Sequence, residues 1–181
     1  MPAQNIIPTA FVKETMFHAY DVRGLYGTEV TEEKFEKLGR AMAAMADRII
    51  FGSDYRKHND SLKQAFFAGY SGEVLDMGDC PTPAVSFHSR EWGACLTASH
   101  NPAGHNGLKP IRERHVAFSR ELEQLEQEYY AVTDANNTAK GLDASGGAKI
   151  TIEPELLQEY LDALPPFEGG VFDLGGGAAC S

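Results

Sequence analysis

Cysteine is scarce in this sequence, and the scarcity excludes several classes at once. Only Cys80, Cys95 and Cys180 occur among 181 residues, an odd number with no C-x-x-C pair. That count supports neither a disulfide framework nor a structural zinc site, and it suits a reducing cytoplasm. Basic residues are also short: 16 Lys+Arg stand against 26 Asp+Glu, a formal net charge of −10. The balance argues against nucleic acid and anionic membranes as partners. No apolar run approaches the length of a membrane span. The opening stretch, MPAQNIIPTAFVKETMF, lacks the basic start and long apolar segment of a secretory signal, so a cytoplasmic protein is expected. No internal repeat is visible.

What is present is the composition of a soluble globular chain, 43% hydrophobic and 23% charged. The charge is unevenly spread. Residues 1–118 carry 13 Lys+Arg against 14 Asp+Glu, whereas residues 119–181 carry 3 against 12. Four of the six histidines, with Arg90, Lys109, Arg112 and Arg114, fall between His88 and His115. That cluster is either a mildly basic solvated edge or a seat for a small anion.

The hydrophobic pattern alternates between two periods. Thr31-Glu32-Glu33 reads as a helix start, and Phe35, Leu38, Met42, Met45 and Ile49 follow at helical spacing. Ile49-Ile50-Phe51 also reads as a short buried strand. Asn59 to Ser61 are expected to cap a second helix running to about Tyr70, with Gly72 ending it. Glu73–Met77 reads as a strand, Pro81 to about Trp92 as a helix, and Gly93–Leu96 as a third strand. Ser119 is expected to cap a helix over Glu121–Tyr130. Residues 134–148 read as a loop, Ile150–Ile152 as a strand and Pro154–Leu164 as a helix. Such alternation predicts parallel βαβ units. In these sheets ligands sit beyond the carboxyl ends of the strands. Three strand ends here release GSDYR (52–56), GDCPTP (78–83) and TASHNP (97–102).

The last of these loops is the richest in chemistry. Ser99, His100 and Asn101 are consecutive, and Lys109 lies ten residues after the serine. A serine hydrolase needs a base aimed at the hydroxyl and an oxyanion hole. There is no G-x-S-x-G elbow. In an extended segment His100 points away from its neighbour Ser99. Phosphoryl transfer asks instead for an acceptor hydroxyl with cations around it, and Lys109, His100, Arg23 and Arg56 are of that kind. Spacing alone also allows Ser99 and Asn101 to be turn formers.

The wording of the motif adds to this. TASHNPAGHNGLK (97–109) resembles the phosphoserine loop of the α-D-phosphohexomutases, the phosphoglucomutase/phosphomannomutase family. FHAYDVRG (17–24), GSDYR (52–56) and PTPAVSF (81–87) are similar to further family segments, in the right order. VFDLGGGAACS (171–181) resembles the first strand of the family's second domain. The resemblance implies a three-layer α/β/α sandwich with a mostly parallel sheet over residues 1–150. A helix and linker over 151–170 and the first strand of an incomplete second domain at 171–181 would follow. It implies that Ser99 holds a transferable phosphoryl group, whose oxygen would also be one ligand of Mg²⁺. His100, Asn101 and Lys109 match neighbours that shape the site, and Tyr20 and Arg23 match residues of the cleft floor. The catalytic set expected is Ser99, Arg23, His100 and Lys109; the substrate-binding set is Tyr20, Arg23, Asn101 and Lys109. The substrate would be a hexose phosphate, interconverted between its 1- and 6-phosphates.

Several features depart from the family pattern. His18 and Ser53 stand where arginine is usual, and KPIRERHVAF (109–118) lacks the Gly-rich turn. The family's D-G-D-x-D-R metal loop, sugar loop and C-terminal phosphate loop have no counterpart here. The chain alone is therefore expected to fold, to self-associate through bare interdomain surface and to turn nothing over. The competing reading is a non-catalytic paralogue that binds a sugar phosphate or a partner chain. Gly175–Gly177 is read as a tight turn and Cys95 as a small buried hydrophobe; Asp21 and Asp54, candidates for general bases by type, are read instead as carboxylates that orient an arginine, Arg23 in the case of Asp21, or cap backbone groups.

Overall fold

Thr31 starts the first helix as its chemistry demands: its hydroxyl accepts the Lys34 N–H at 3.3 Å, and Glu32 and Glu33 occupy the positive first turn. This helix, α1 (Glu32–Met45), buries Phe35, Leu38 and Met42. It ends before Ile49, which belongs to the following strand rather than to the helical stripe. The computed structural model describes residues 16–117, 119–132 and 147–166. Within them the other elements are β1 (Val22–Leu25), β2 (Arg48–Ser53), α2 (Asn59–Gly69), β3 (Glu73–Asp79), α3 (Thr82–His88), β4 (Trp92–Leu96), β5 (His105–Arg112), β6 (His115–Val116), α4 (Arg120–Ala131), β7 (Lys149–Ile152) and α5 (Glu155–Asp162). Most of the expected loop at 134–148, the strand at 171–181, Gly175–Gly177 and Cys180 lie outside the described residues.

The strands form one sheet in the order β1-β5-β4-β2-β3-β7, with β6 paired on β5. β2 is parallel to both β3 and β4, and β3 is parallel to β7. All three pairings of β5, with β1, β4 and β6, are antiparallel. Only β5 is therefore reversed, and the sheet is mostly parallel in direction, as expected.

Helices cover both faces. On one, α1, α2 and α4 pack Phe35, Leu38, Leu62, Phe66, Leu125 and Tyr129 against Ile49, Phe51, Val74, Leu96 and Leu108. Burying each such side chain contributes roughly 1.5–3 kcal/mol. On the other, Ala84 and Val85 of α3, with Leu156, Leu157 and Tyr160 of α5, meet Met77, Cys95 and Ile111. The α1–α2 crossing is close because of two glycines. A Cβ on Gly69 would lie 1.8 Å from the Glu36 carbonyl oxygen, and one on Gly39 2.1 Å from that of Phe66.

Three local expectations fail for physical reasons. The third helix stops at His88, because Trp92 already begins β4. Neither Asn59 nor Ser119 caps its helix through its side chain. The Asn59 amide instead donates to the Asp54 carbonyl and carboxylate. Finally, β1 and β5 are strands where the sequence offered turn signals. Asn106, Gly107 and Pro110 punctuate β5, yet tertiary pairing overrides them. Gly107 is required there: a Cβ would meet the Val22 carbonyl oxygen at 2.2 Å.

Candidate active site

The parallel strands deliver their three polar loops to one edge. Backbone bonds join them: Asp54 N–H donates to Leu96 O at 3.0 Å and Cys80 N–H to Ser53 O at 2.8 Å. The Ser53 hydroxyl donates to Asp79 Oδ1 at 3.1 Å. Because β5 is reversed, residues 97–104 form the loop of a β-hairpin, closed where Thr97 N–H donates to Gly107 O at 2.9 Å.

Ser99 and His100 stand exposed on that loop. Ser99 has φ +57°, a left-handed conformation that non-glycine residues seldom adopt. Such a conformation persists where its surroundings over-determine it. The Ser99 N–H donates to the Thr97 hydroxyl oxygen at 2.9 Å, and that hydroxyl donates to Asp54 Oδ2 at 2.7 Å. The segment is thus a turn and not extended, which corrects the expectation for His100: its Nδ1 lies 3.4 Å from Ser99 Oγ.

Arg56 also differs from expectation. Its guanidinium does not stand open to an anion. Nη1 donates to the carbonyls of Pro102 (2.9 Å) and His105 (2.8 Å), and Nη2 to those of Ser99 (3.0 Å) and Asn101 (2.7 Å). Nε donates to Asp54 Oδ2 at 3.2 Å, and the side chain is 12% exposed. Beneath it, the buried Asn106 donates its amide to Asn59 Oδ1 at 2.8 Å. Asn59, Thr97 and Asn106 belong to the site's support, and pattern reading missed all three roles because each depends on a partner 40 or so residues away. Asn101 folds back onto its own turn, donating Nδ2 to Ala98 O at 2.8 Å.

A second carboxylate holds the remaining cations. Asp21 is buried, with Arg23 Nε 3.3 Å from Oδ1 and Lys109 Nζ 3.4 Å from Oδ2. Ladder register explains the meeting: Val22 faces Leu108, which puts Asp21 and Lys109 next to that pair, and Arg23 faces Gly107, the residue that closes the serine hairpin. Tyr20, just before Asp21, is 64% exposed. His18 Nε2 lies 3.2 Å from the Arg23 carbonyl oxygen. The structure therefore brings Arg23 and Lys109 together through Asp21, and ties the Ser99 loop to the same strand pair.

A brace flanks this edge. Tyr26 stacks on His58 with centroids 3.8 Å apart and donates its hydroxyl to Glu32 at 2.5 Å. That bond, helped by Ser61, holds the Glu32 carboxyl below its ordinary range. Burial pushes the thiols of Cys80 and Cys95 up to about 12, so both stay protonated and neither is a nucleophile. Cys95 behaves as the small buried hydrophobe expected. Among the described residues no group of three His, Cys, Asp or Glu side chains is placed to hold a metal ion. Also among them, no helix is long and apolar enough to cross a membrane.

An α/β/α domain with a mostly parallel sheet and its polar loops beyond the strand ends defines a class, the open α/β domains, in which that edge is the usual place for a ligand. The family model for "Phosphoglucomutase/phosphomannomutase, alpha/beta/alpha domain I" matches residues 14–137, and the chain belongs to that family. It is 32% identical over 165 residues to a phosphoglucosamine mutase of Clostridium beijerinckii, covering 81% of this chain and 35% of that protein. It is 39% identical over 107 residues to a protein named phosphohexose mutases from Xanthomonas campestris, covering 54% and 24%. The chain thus spans about a third or less of the length of these relatives. A Burkholderia thailandensis phosphoglucomutase/phosphomannomutase family protein superposes with TM-score 0.68 at 21% identity, over 83% of this chain and 35% of that one, and this likeness shows the fold.

Proposed function

We propose that this chain is the phosphoserine domain of a hexose-phosphate mutase, with Ser99 as the residue that carries the phosphoryl group. The observation that supports it most directly is the position of Ser99: exposed, in a left-handed turn, on a hairpin loop clamped at the carboxyl edge of the sheet. In the step proposed, a hydroxyl of a hexose monophosphate attacks the phosphorus of phosphoserine. The new O–P bond forms as the Ser99 Oγ–P bond breaks, and the hydroxyl proton leaves as Ser99 Oγ regains one. The return step passes the other phosphate back to serine. His100, with Nδ1 3.4 Å from Ser99 Oγ, is within reach to hold or return that proton. Arg23 and Lys109 supply positive charge for the phosphoryl oxygens, with Tyr20 beside them. Asn101 acts through the shape of the turn.

The family resemblance implies Mg²⁺. Phosphoserine would offer one oxygen, but the described residues contain no set of carboxylates to complete a site. The described residues do not fit a whole metal centre. With one wall of a cleft and a third of its relatives' length, the chain alone is proposed to be inactive, cytoplasmic and prone to self-association.

The test uses a protein carrying this domain with the rest of the family's cleft. After incubation with glucose 1,6-bisphosphate, peptide mapping should find phosphate on the fragment containing Ser99. Phosphate on Ser53 or Ser119 instead overturns the assignment. Ser99→Ala should remove nearly all turnover with little loss of stability, since an exposed loop serine contributes little packing.

A further inference from the structure

Arg56 presents an unusual use of charge. A single guanidinium receives four backbone carbonyls, those of Ser99, Asn101, Pro102 and His105, at 2.7–3.0 Å. All four belong to one eight-residue hairpin loop and its first strand residue. The fork is itself fixed by Asp54, which accepts from both Arg56 Nε and the Arg56 backbone N–H, and from Thr97. Thr97 in turn accepts the Ser99 N–H. A continuous chain of contacts therefore runs from Arg56 through Asp54 and Thr97 to the backbone of the serine.

Carbonyl oxygens repel phosphate oxygens. A loop of this size has no secondary structure to absorb its carbonyls, and water would leave them free to turn outward. Gathering them on one partly buried cation fixes the opposite sense: lone pairs inward, and the His100 N–H, the Ser99 hydroxyl and the His100 ring on the outer side, while the Ser99 and Asn101 N–H groups bond within the loop. The His100 N–H has no protein acceptor among the described residues, and Ser99 Oγ and the His100 ring are exposed beside it. We propose that Arg56 is a positioning residue, which turns the carbonyls of the Ser99 loop inward so that its outer face receives a phosphate dianion. The inference deepens the function proposed above and rests on the same site. It assigns the conserving of loop polarity to a residue whose own charge never meets the ligand.

The geometry of the fork is essential to this role. Arg56 makes five side-chain bonds in fixed directions, whereas an ammonium offers three from one point. Arg56→Lys keeps the charge beside Asp54 but cannot reach all four carbonyls. Thr97→Val keeps the fork and cuts the link to the Ser99 N–H.

The experiment is a titration of the full 181-residue chain with inorganic phosphate, followed by ¹H–¹⁵N NMR. In the wild type, the Ser99 and His100 amides should shift in a saturable way that chloride at equal ionic strength does not reproduce. Arg56→Lys should weaken that binding at least about tenfold, the loss of a bidentate, charge-directed arrangement. Thr97→Val should weaken it less. Amide signals of α1 and α2 should stay in place in both variants, a readout that separates loop polarity from general unfolding. Absence of phosphate shifts at the wild-type loop overturns the inference, as does equal affinity in Arg56→Lys. Phosphate mapping to Ser99 is a separate measurement, so failure of the mutase reading is told apart from failure of this one.

Discussion

Two Asp-x-Arg segments enter the same edge of the sheet and are used in opposite ways. In Asp54-Tyr55-Arg56 the arginine is 12% exposed, and its donors go to a carboxylate and four carbonyls. In Asp21-Val22-Arg23 the arginine is 31% exposed and meets its aspartate through Nε, while Lys109 takes the other carboxylate oxygen. The spacing is identical and the local charge is identical. What differs is what lies opposite. Arg56 faces a loop with carbonyls to satisfy; Arg23 faces Gly107, a residue with no side chain to engage it. One arginine is taken up by the loop, and the other keeps part of its guanidinium open to solvent.

The largest expected effect tests the first pair. Arg56→Ala strands four carbonyls and the Asp54 carboxylate together, and should cost about 2–4 kcal/mol in denaturant unfolding. A cost under half a kcal/mol would show that water replaces the fork freely and would erase the contrast. Asp21→Asn should come next, at about 1–2 kcal/mol, because a buried carboxylate that neutralises two cations is lost. Its readout is unfolding again, alongside affinity for hexose phosphate in a protein with the whole cleft. Arg23→Ala should be smallest in stability, under about 1 kcal/mol, because Arg23 is itself partly exposed and Lys109 stays paired with the buried Asp21. In turnover it should be the larger by far, since a cation beside developing charge contributes a few kcal/mol. Arg23→Lys should rescue only in part. If Arg23→Ala keeps parental kcat, the second pair is structural like the first.

The sequence showed more of the frame than of the support. Helix α1 was legible because Thr31, two acids and the Phe35-Leu38-Met42 stripe agree with one another. The parallel core strands were legible as short apolar runs between turn signals. β1 and β5 were not, since Gly24, Asn106, Gly107 and Pro110 each argue against a strand until a partner strand is present. In the site, Ser99 and Lys109 stood out by residue type and by resemblance. The roles of Asn59, Thr97 and Asn106 did not, because a buried hydrogen bond between residues 59 and 106 leaves no periodic trace in either segment. Arg56 was noticed for its charge and misjudged in its use, as charge alone does not say whether carbonyls or solvent surround it.

The reversal of β5 has an electrostatic consequence for the whole edge. A loop that leaves a parallel strand ordinarily enters a helix, whose first turn presents unpaired N–H groups and a positive dipole to any anion. The Ser99 loop enters a strand, so no helix terminus follows the serine. Positive charge at this edge therefore rests on the side chains of Arg23 and Lys109, with no helix terminus to add to it. A helix dipole cannot be removed by a point substitution, nor titrated; a set of side chains can be altered one at a time. On the function proposed, the hairpin makes affinity for phosphate adjustable residue by residue, with the serine's backbone left untouched.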